Sequence, residues 1–308
     1  MDRNRRVVIK AGLGIGAAIL LPADRLFAQP APLLRRKIPS SGEMIPIIGI
    51  GTARRYESIE SDAQRLQLRE TIRQFHALGG TVIDSSPTYG MAEAVVGELV
   101  EELKVRDSLF LATKVSLRTG GRDAGIKQMD ESFKHLKTDK IDLIAVHNLR
   151  DTDTQLKTLR EMKVAGRIRY VGITASSDGR YAYFEQVMKK ESLDFIQVDY
   201  ALDNRNAGER IIPLAADRGM AVMINLPFGR GRLFKAVRGK KLPDWARDFD
   251  CASWAQFFLK YIVSHPAITC AIPGMAKPEY VVDNLGAARG RLPDAATRKR
   301  MEQFIENV

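Results

Sequence analysis

Cysteine is nearly missing from this chain: Cys251 and Cys270 are the only two among 308 residues. A disulfide-stapled scaffold is excluded, and at most one bridge is permitted; spacing alone leaves open whether the two pair. Histidine is almost as scarce, with four residues, and none stands at ligand spacing from a cysteine or another histidine, so no metal site is expected. No apolar run reaches the ~18 residues of a membrane span. Aromatic residues make up 7% and are not interleaved with a basic stripe, although the net charge is +11. Nucleic-acid binding is therefore not expected, and a positive field that draws anionic ligands is the milder reading. A dinucleotide loop is lacking too: Gly12, Gly14 and Gly16 follow no strand and break the G-x-G-x-x-G spacing.

What is present begins with a targeting segment. Asn4-Arg5-Arg6-Val7-Val8-Ile9-Lys10 resembles the bacterial twin-arginine export motif. A modestly apolar stretch covers residues 11–23, and Leu26-Phe27-Ala28 offers a cleavage site before Gln29. A short basic helix of the folded domain is the plainer alternative, but each of the three glycines weakens a helix by about 1 kcal/mol. The expectation is a signal peptide over 1–28 and one domain over 29–308. The chain would be exported folded to the periplasm by the twin-arginine machinery, with no membrane span left after cleavage.

Beyond residue 30 the pattern alternates. Residues 33–38 and 44–50, joined through Ser41-Gly42, read as a hairpin, the second run also serving as the first of eight strands. Apolar runs then end at 84, 114, 147, 174, 199, 225 and 272, with helical periodicity between them over 63–78, 92–103, 126–136, 155–165, 181–190, 209–218 and 252–263. The first six ends recur every 25 to 33 residues, the spacing that a parallel strand with a helical crossover requires. Eight such strands in a chain without a linker-like break predict an α/β fold, a (β/α)8 TIM barrel with an N-terminal β-hairpin.

A barrel places its active site at the C-terminal ends of its strands. There stand Asp84, at the end of Thr81-Val82-Ile83-Asp84; Lys114, after Phe110-Leu111-Ala112-Thr113; and His147, after Leu143-Ile144-Ala145-Val146. Tyr89 lies on the turn after Asp84. Each has a plain explanation alone: a turn carboxylate, a solvated lysine, a core histidine, a packing tyrosine. Together they support one chemistry. An ammonium beside a phenol stabilises tyrosinate, a carboxylate keeps the lysine charged and fixed, and an imidazole can orient a carbonyl oxygen. Protonating such an oxygen requires a hydride on its carbon, which no side chain supplies and a nicotinamide does.

On these residues the chain resembles the aldo-keto reductases, from about residue 37 to 290. The resemblance implies the barrel, plugged at its bottom by the hairpin, and NAD(P)H-dependent interconversion of an aldehyde or ketone with an alcohol. It implies Tyr89 as general acid/base, Lys114 as its tuning residue, Asp84 as the anchor of Lys114 and His147 as the residue orienting the substrate. For the cofactor it points to Thr174, Ser176, Gln197, Asn225, Pro227, Gly229, Gly274, Lys277, Asp283 and Asn284. Ala175 stands where the family has an amide. Asn225-Leu226-Pro227 lacks the aromatic that stacks on the nicotinamide, and Gly274, Met275 and Tyr280 replace residues that bind a 2′-phosphate. Lys277 is the nearby cation, so NADP(H) is expected, with NAD(H) possible. Two alternatives stay open: an oxidoreductase that cycles a tightly held cofactor between two substrates, and a non-catalytic nucleotide-binding module. Substrate choice is expected from the loops at 118–125, 148–153 and 229–241, where Arg118, Arg122 and Arg150 could recognise an anion.

Overall fold

The computed structural model describes residues 31–308, residue 118 excepted. The twin-arginine-like segment at 1–28 lies outside the described residues, as does Arg118. Strands β1 (Arg35–Lys37) and β2 (Met44–Pro46) form an antiparallel hairpin with Arg36 opposite Ile45. Eight strands then pair in parallel and in chain order: β3 (Ile50–Gly51), β4 (Val82–Asp84), β5 (Phe110–Val115), β6 (Ile141–Val146), β7 (Ile168–Thr174), β8 (Phe195–Asp199), β9 (Ala221–Asn225) and β10 (Cys270–Ala271). The sheet closes on itself through parallel bridges from Ile48 to Ala271 and from Gly51 to Gly274. At the seam the Gly49 N–H donates to the Ala271 carbonyl at 2.9 Å, and the Gly51 N–H to that of Pro273 at 2.9 Å. A Cβ on Gly51 would lie 2.6 Å from the Ile272 carbonyl oxygen, so the seam closes only over a bare backbone.

Helices α1 (Asp62–Ala77), α2 (Ala92–Leu103), α3 (Gly121–His135), α4 (Thr152–Val164), α5 (Tyr181–Lys190) and α6 (Ile211–Asp217) each return the chain to the next strand. The short α7 (Arg232–Ala236) precedes α8 (Trp254–Val263), and α9 (Pro278–Gly286) and α10 (Ala295–Glu306) follow the last strand. Ser61 and Ser253 cap α1 and α8, accepting from the N–H groups of Gln64 and Gln256, as short hydroxyl side chains do at orphaned helix donors. Every residue of β5 and β6 is buried, because helices cover one face and the barrel interior the other.

The interior explains the hairpin. Val82, Phe110, Leu143, Tyr170, Phe195 and Ala221 point inward, and Ile38 and Ile45 pack against them. The Phe110 ring lies 5.8 Å from both Tyr170 and Phe195. The Tyr170 hydroxyl donates to Glu43 at 2.6 Å, and Arg169 bonds Asp142 at 2.8 Å while also pairing with Glu43. The hairpin thus seals the N-terminal mouth with apolar contacts inside and charged ones at the rim.

Three expectations shift. The run at 44–50 is two strands: the Ile47 N–H still donates to the Leu34 carbonyl of the hairpin at 3.1 Å, and from Ile48, which bridges to Ala271, the chain enters the barrel. Helix α3 begins five residues before the predicted 126. Gly125 hides its first turn from the periodicity, and a Cβ there would strike the Gln155 side chain of α4. Within the long insertion, α7 and a 3₁₀ stretch at Asp244–Phe249 are too short to show a period. Cys251 and Cys270 are free thiols, both buried, and burial pushes the Cys251 thiol up to about 11. Among the described residues no helix is long and apolar enough to cross a membrane.

Candidate active site

Register brings the strand ends together. Asp84 is opposite Ala112, so Lys114, two residues further along β5, projects to the same side beyond it. Val146 is opposite Val115, which puts His147 at the next strand end. The Lys114 ammonium donates to both Asp84 carboxylate oxygens at 2.8 Å and to the Ser85 carbonyl at 2.7 Å. Tyr89 follows on its turn, its ring centroid 5.2 Å from the ammonium and 6.0 Å from the His147 ring in an edge-on contact. That turn is fastened to the loop after β3 by the Met91 N–H, which donates to the Glu57 carbonyl at 2.9 Å. Gly90 sits between them with φ 53°, and a Cβ there would lie 2.5 Å from the same carbonyl oxygen.

Charge within this group is unevenly balanced. Burial alone would pull the Lys114 ammonium down, but Asp84 and then Tyr89 outweigh it and raise the net value. Burial pushes the Asp84 carboxyl up against the opposing pull of Lys114 and the Gln197 amide. The Tyr89 phenol is also raised, by burial first, with Lys114 pulling the other way. The lysine therefore acts on the phenol in the expected sense, yet burial wins and the proton stays on Tyr89 at neutral pH. Burial, followed by Lys114, Arg150 and Arg180, pushes His147 down to about 3, so its imidazole is neutral. Ser86 Oγ at 3.4 Å and Thr88 Oγ1 at 3.5 Å face its Nδ1.

These residues open on a cleft of about 560 Å³ at the C-terminal ends of the strands. Asp84, Tyr89 and His147 line it, with Lys114 buried behind them. Of the residues expected at the cofactor, Thr174, Ser176, Gln197, Asn225, Pro227 and Gly274 line the same cleft. Thr174 Oγ1 accepts the Asn148 N–H at 3.0 Å, and Ser176 donates to the Asn148 side-chain oxygen at 3.3 Å. Asn225 donates to the Ala175 carbonyl at 3.1 Å, while its own amide oxygen is buried with no partner among the described residues.

Four expected residues are not in that lining. Gly229 borders a neighbouring hollow, packed against the Asp203 carboxylate. Lys277 precedes α9, with its ammonium 3.9 Å from Glu279. The Asp283 carboxylate accepts from Ser253 at 2.6 Å and from Gln256 at 3.0 Å, which ties α9 to α8. Asn284 is buried beside it. Arg122 pairs with Glu161 at 2.7 Å and also lies outside the cleft. A hollow of about 550 Å³ at the hairpin end holds none of the predicted residues, and its Arg106 and Arg169 are already paired with Asp142 and Glu43.

Sequence reasoning passed over Ser86, Thr88 and Arg54, and reached Asn148 only as the start of the loop at 148–153. The first two stood inside the stretch between Asp84 and Tyr89, so their closeness to His147 had a local signal. Arg54 had none, and the loop position of Asn148 did not show its contact with Thr174 and Ser176; both hold a left-handed backbone, φ 60° and φ 54°. Strain gathers here: of nine non-glycine residues with positive φ among the described residues, Arg54, Asn148, Leu226 and Arg230 line the cleft.

Comparison with known proteins bears on the family and the fold. Aldo-keto reductase YhdN of Bacillus subtilis is 32% identical over 177 residues, a match spanning 53% of this chain and only 53% of that relative. Methylglyoxal reductase YeaE of Escherichia coli is 27% identical over 267 residues, or 85% of this chain and 92% of that one. A crystal structure of an aldo/keto reductase from Klebsiella pneumoniae, in complex with NADP and acetate, superimposes with a TM-score of 0.72 at 24% identity, over 86% of this chain and 93% of that chain. The profile of the Aldo/keto reductase family matches residues 47–304, from the hairpin's exit to the last helix, and the chain belongs to that family.

Proposed function

We propose that this protein reduces an aldehyde or ketone to an alcohol with NAD(P)H, through Tyr89, Lys114, Asp84 and His147. The observation that carries this reading is the Lys114 ammonium. It is held by both oxygens of Asp84 and lies 5.2 Å from the Tyr89 ring centroid. In reduction Tyr89 gives its phenolic proton to the carbonyl oxygen, and Lys114 stabilises the tyrosinate left behind. Asp84 keeps the lysine charged and in place. His147 is neutral; with Nδ1 accepting from one hydroxyl of the Ser86–Thr88 pair, themselves 2.9 Å apart, its proton sits on Nε2, which donates to the carbonyl oxygen and orients it. A bound nicotinamide supplies the hydride that forms the new C–H bond.

The cleft suits such a cofactor. The unpartnered Asn225 amide oxygen, the Ser176 hydroxyl and the Gln197 amide offer donors and acceptors at its inner end. NADP(H) is the preferred form. The NADP-bound relative from Klebsiella supports it, and so does Lys277 at the start of α9, where a helix N-terminus also favours phosphate. Residues 1–28 are read as a twin-arginine leader that delivers the folded protein to the periplasm; a fusion of that segment to a folded reporter, with and without Arg5→Lys and Arg6→Lys, tests the export. The catalytic reading is tested by NADPH oxidation over a panel of small aldehydes and ketones, with binding of NADPH and NADH followed by fluorescence. NADPH bound without any turnover across the panel would instead favour a non-catalytic nucleotide-binding module.

A further inference from the structure

Glu93, in the first turn of α2, is 2% exposed. Ala92, Val95, Val96 and Leu99 on the same helix are buried too. An apolar side chain would suit this position, and a carboxylate there carries a desolvation cost. Both of its oxygens are engaged: Thr113 Oγ1 donates to one at 2.5 Å and Ser132 Oγ to the other at 3.1 Å. His135 Nδ1 stands 3.9 Å away on an exposed ring, beyond hydrogen-bond reach. Burial pushes the Glu93 carboxyl up, against the opposing pull of the two hydroxyls and then of His135 and Lys114.

The partners of this carboxylate connect it to the site from behind. Thr113 precedes Lys114 on β5. Side chains alternate along a strand, so Thr113 faces α2 while Lys114 turns into the barrel toward Asp84. On the helix side, the Ala92 N–H donates to the Tyr89 carbonyl at 3.0 Å, and the turn that carries Tyr89 runs directly into α2. Among the described residues, Glu93 to Thr113 is the one side-chain hydrogen bond between α2 and β5. It therefore joins the element that holds the phenol to the element that holds the ammonium. Glu93 itself does not line the cleft.

We propose that Glu93 is a positioning residue that sets the spacing of Tyr89 and Lys114 by fastening α2 to β5 through Thr113. It acts through that contact and not through its charge. The effect on turnover rests on the carbonyl-reductase reading; the effect on the Tyr89 phenol does not.

The test compares the full-length wild type with Glu93→Ala, Glu93→Gln and Thr113→Val. Glutamine keeps both contacts: its oxygen accepts from Thr113, and its amide donates to Ser132 Oγ, whose proton can go to the Gln128 carbonyl at 3.3 Å. Thr113→Val is nearly isosteric and breaks the contact from the strand side should Glu93→Ala fold poorly, and melting temperatures are measured for all. With an accepted aldehyde, kcat is expected to fall about tenfold or more in the alanine and valine variants, with KM and NADPH affinity changing less than about twofold, and glutamine should recover most of the loss. The second readout is the ¹³Cζ resonance of Tyr89, assigned by its loss in Tyr89→Phe and followed against pH without cofactor. Its midpoint should move up by about half a pH unit or more in the alanine and valine variants, because the phenol slips away from the Lys114 ammonium, and stay in place with glutamine. Wild-type kcat and titration in both the alanine and the valine variant overturn the proposal, and so does a glutamine variant as impaired as alanine, which would assign the effect to charge. A wild type without carbonyl turnover would sink the reductase reading alone, leaving the tyrosine titration to decide the role of Glu93.

Discussion

Lys114 and Asp84 are joined end to end across neighbouring parallel strands, with the ammonium 2.8 Å from each carboxylate oxygen and both side chains buried. Removing one partner leaves an uncompensated charge in the barrel. Asp84→Asn is expected to cost about 3–5 kcal/mol in urea unfolding. Asp84→Asn/Lys114→Met should recover more than half of that loss while both variants stay inactive. An Asp84→Asn protein as stable as the wild type would contradict the pairing.

On the proposed mechanism, Tyr89 holds the proton that the reaction consumes. Tyr89→Phe keeps the ring and its contact with His147 but removes the hydroxyl. Turnover of any accepted aldehyde should fall by about 10²–10⁴, with NADPH affinity little changed, as read by fluorescence titration. Near-normal turnover would transfer the acid role elsewhere.

His147 sets a pH dependence of known sign. It takes up a proton at about 3 in the folded protein, lowered mainly by burial, whereas an unfolded chain has an ordinary histidine near 6.5. Between these values the unfolded state binds more protons, so this residue lowers stability as pH falls from about 6.5 and contributes no slope above about 7. The slope reaches at most about 1.4 kcal/mol per pH unit. His147→Gln should flatten the pH dependence of urea unfolding below pH 6. An unchanged profile would mean that the imidazole titrates normally.

Gly51 lies at the barrel seam and lines the cleft. Gly51→Ala drives a Cβ to 2.6 Å from the Ile272 carbonyl oxygen, and β3 must separate from β10 to admit it. A loss of about 1–3 kcal/mol is expected, accompanied by weaker NADPH binding. A variant that melts and binds like the wild type would show that the seam yields freely.

The fold was legible because barrels write themselves into spacing. Strand runs ending at Asp84, Thr174 and Asn225 needed only crossover length and burial on both faces to be recognised. The hairpin was legible from Ser41-Gly42, although the unbroken apolar run hid the change of partner from Leu34 at Ile47 to Ala271 at Ile48. Helix α3 was placed late because Gly125 serves a contact with Gln155 rather than a helical period. Site residues at strand ends were legible for the same reason as the strands, since a polar residue after an apolar run is conspicuous. Asp283 looked equally available, yet its carboxylate binds α8, and nothing local distinguishes a ligand-facing carboxylate from one that ties two helices.

Residue order and pattern were enough to predict a barrel with Asp84, Tyr89, Lys114 and His147 gathered at one end. Three-dimensional packing decided the charge states: burial keeps the proton on Tyr89 and off His147, against the pull that Lys114 exerts on the phenol. It also decided which polar residues meet in the cleft. Arg54 and Arg230 are 176 positions apart in the chain and share one opening because β3 closes against β10, beside β9. Desolvation and closure are properties of the assembled barrel, set by how many atoms surround a group and which strands meet at the seam, and no local run of residues encodes either.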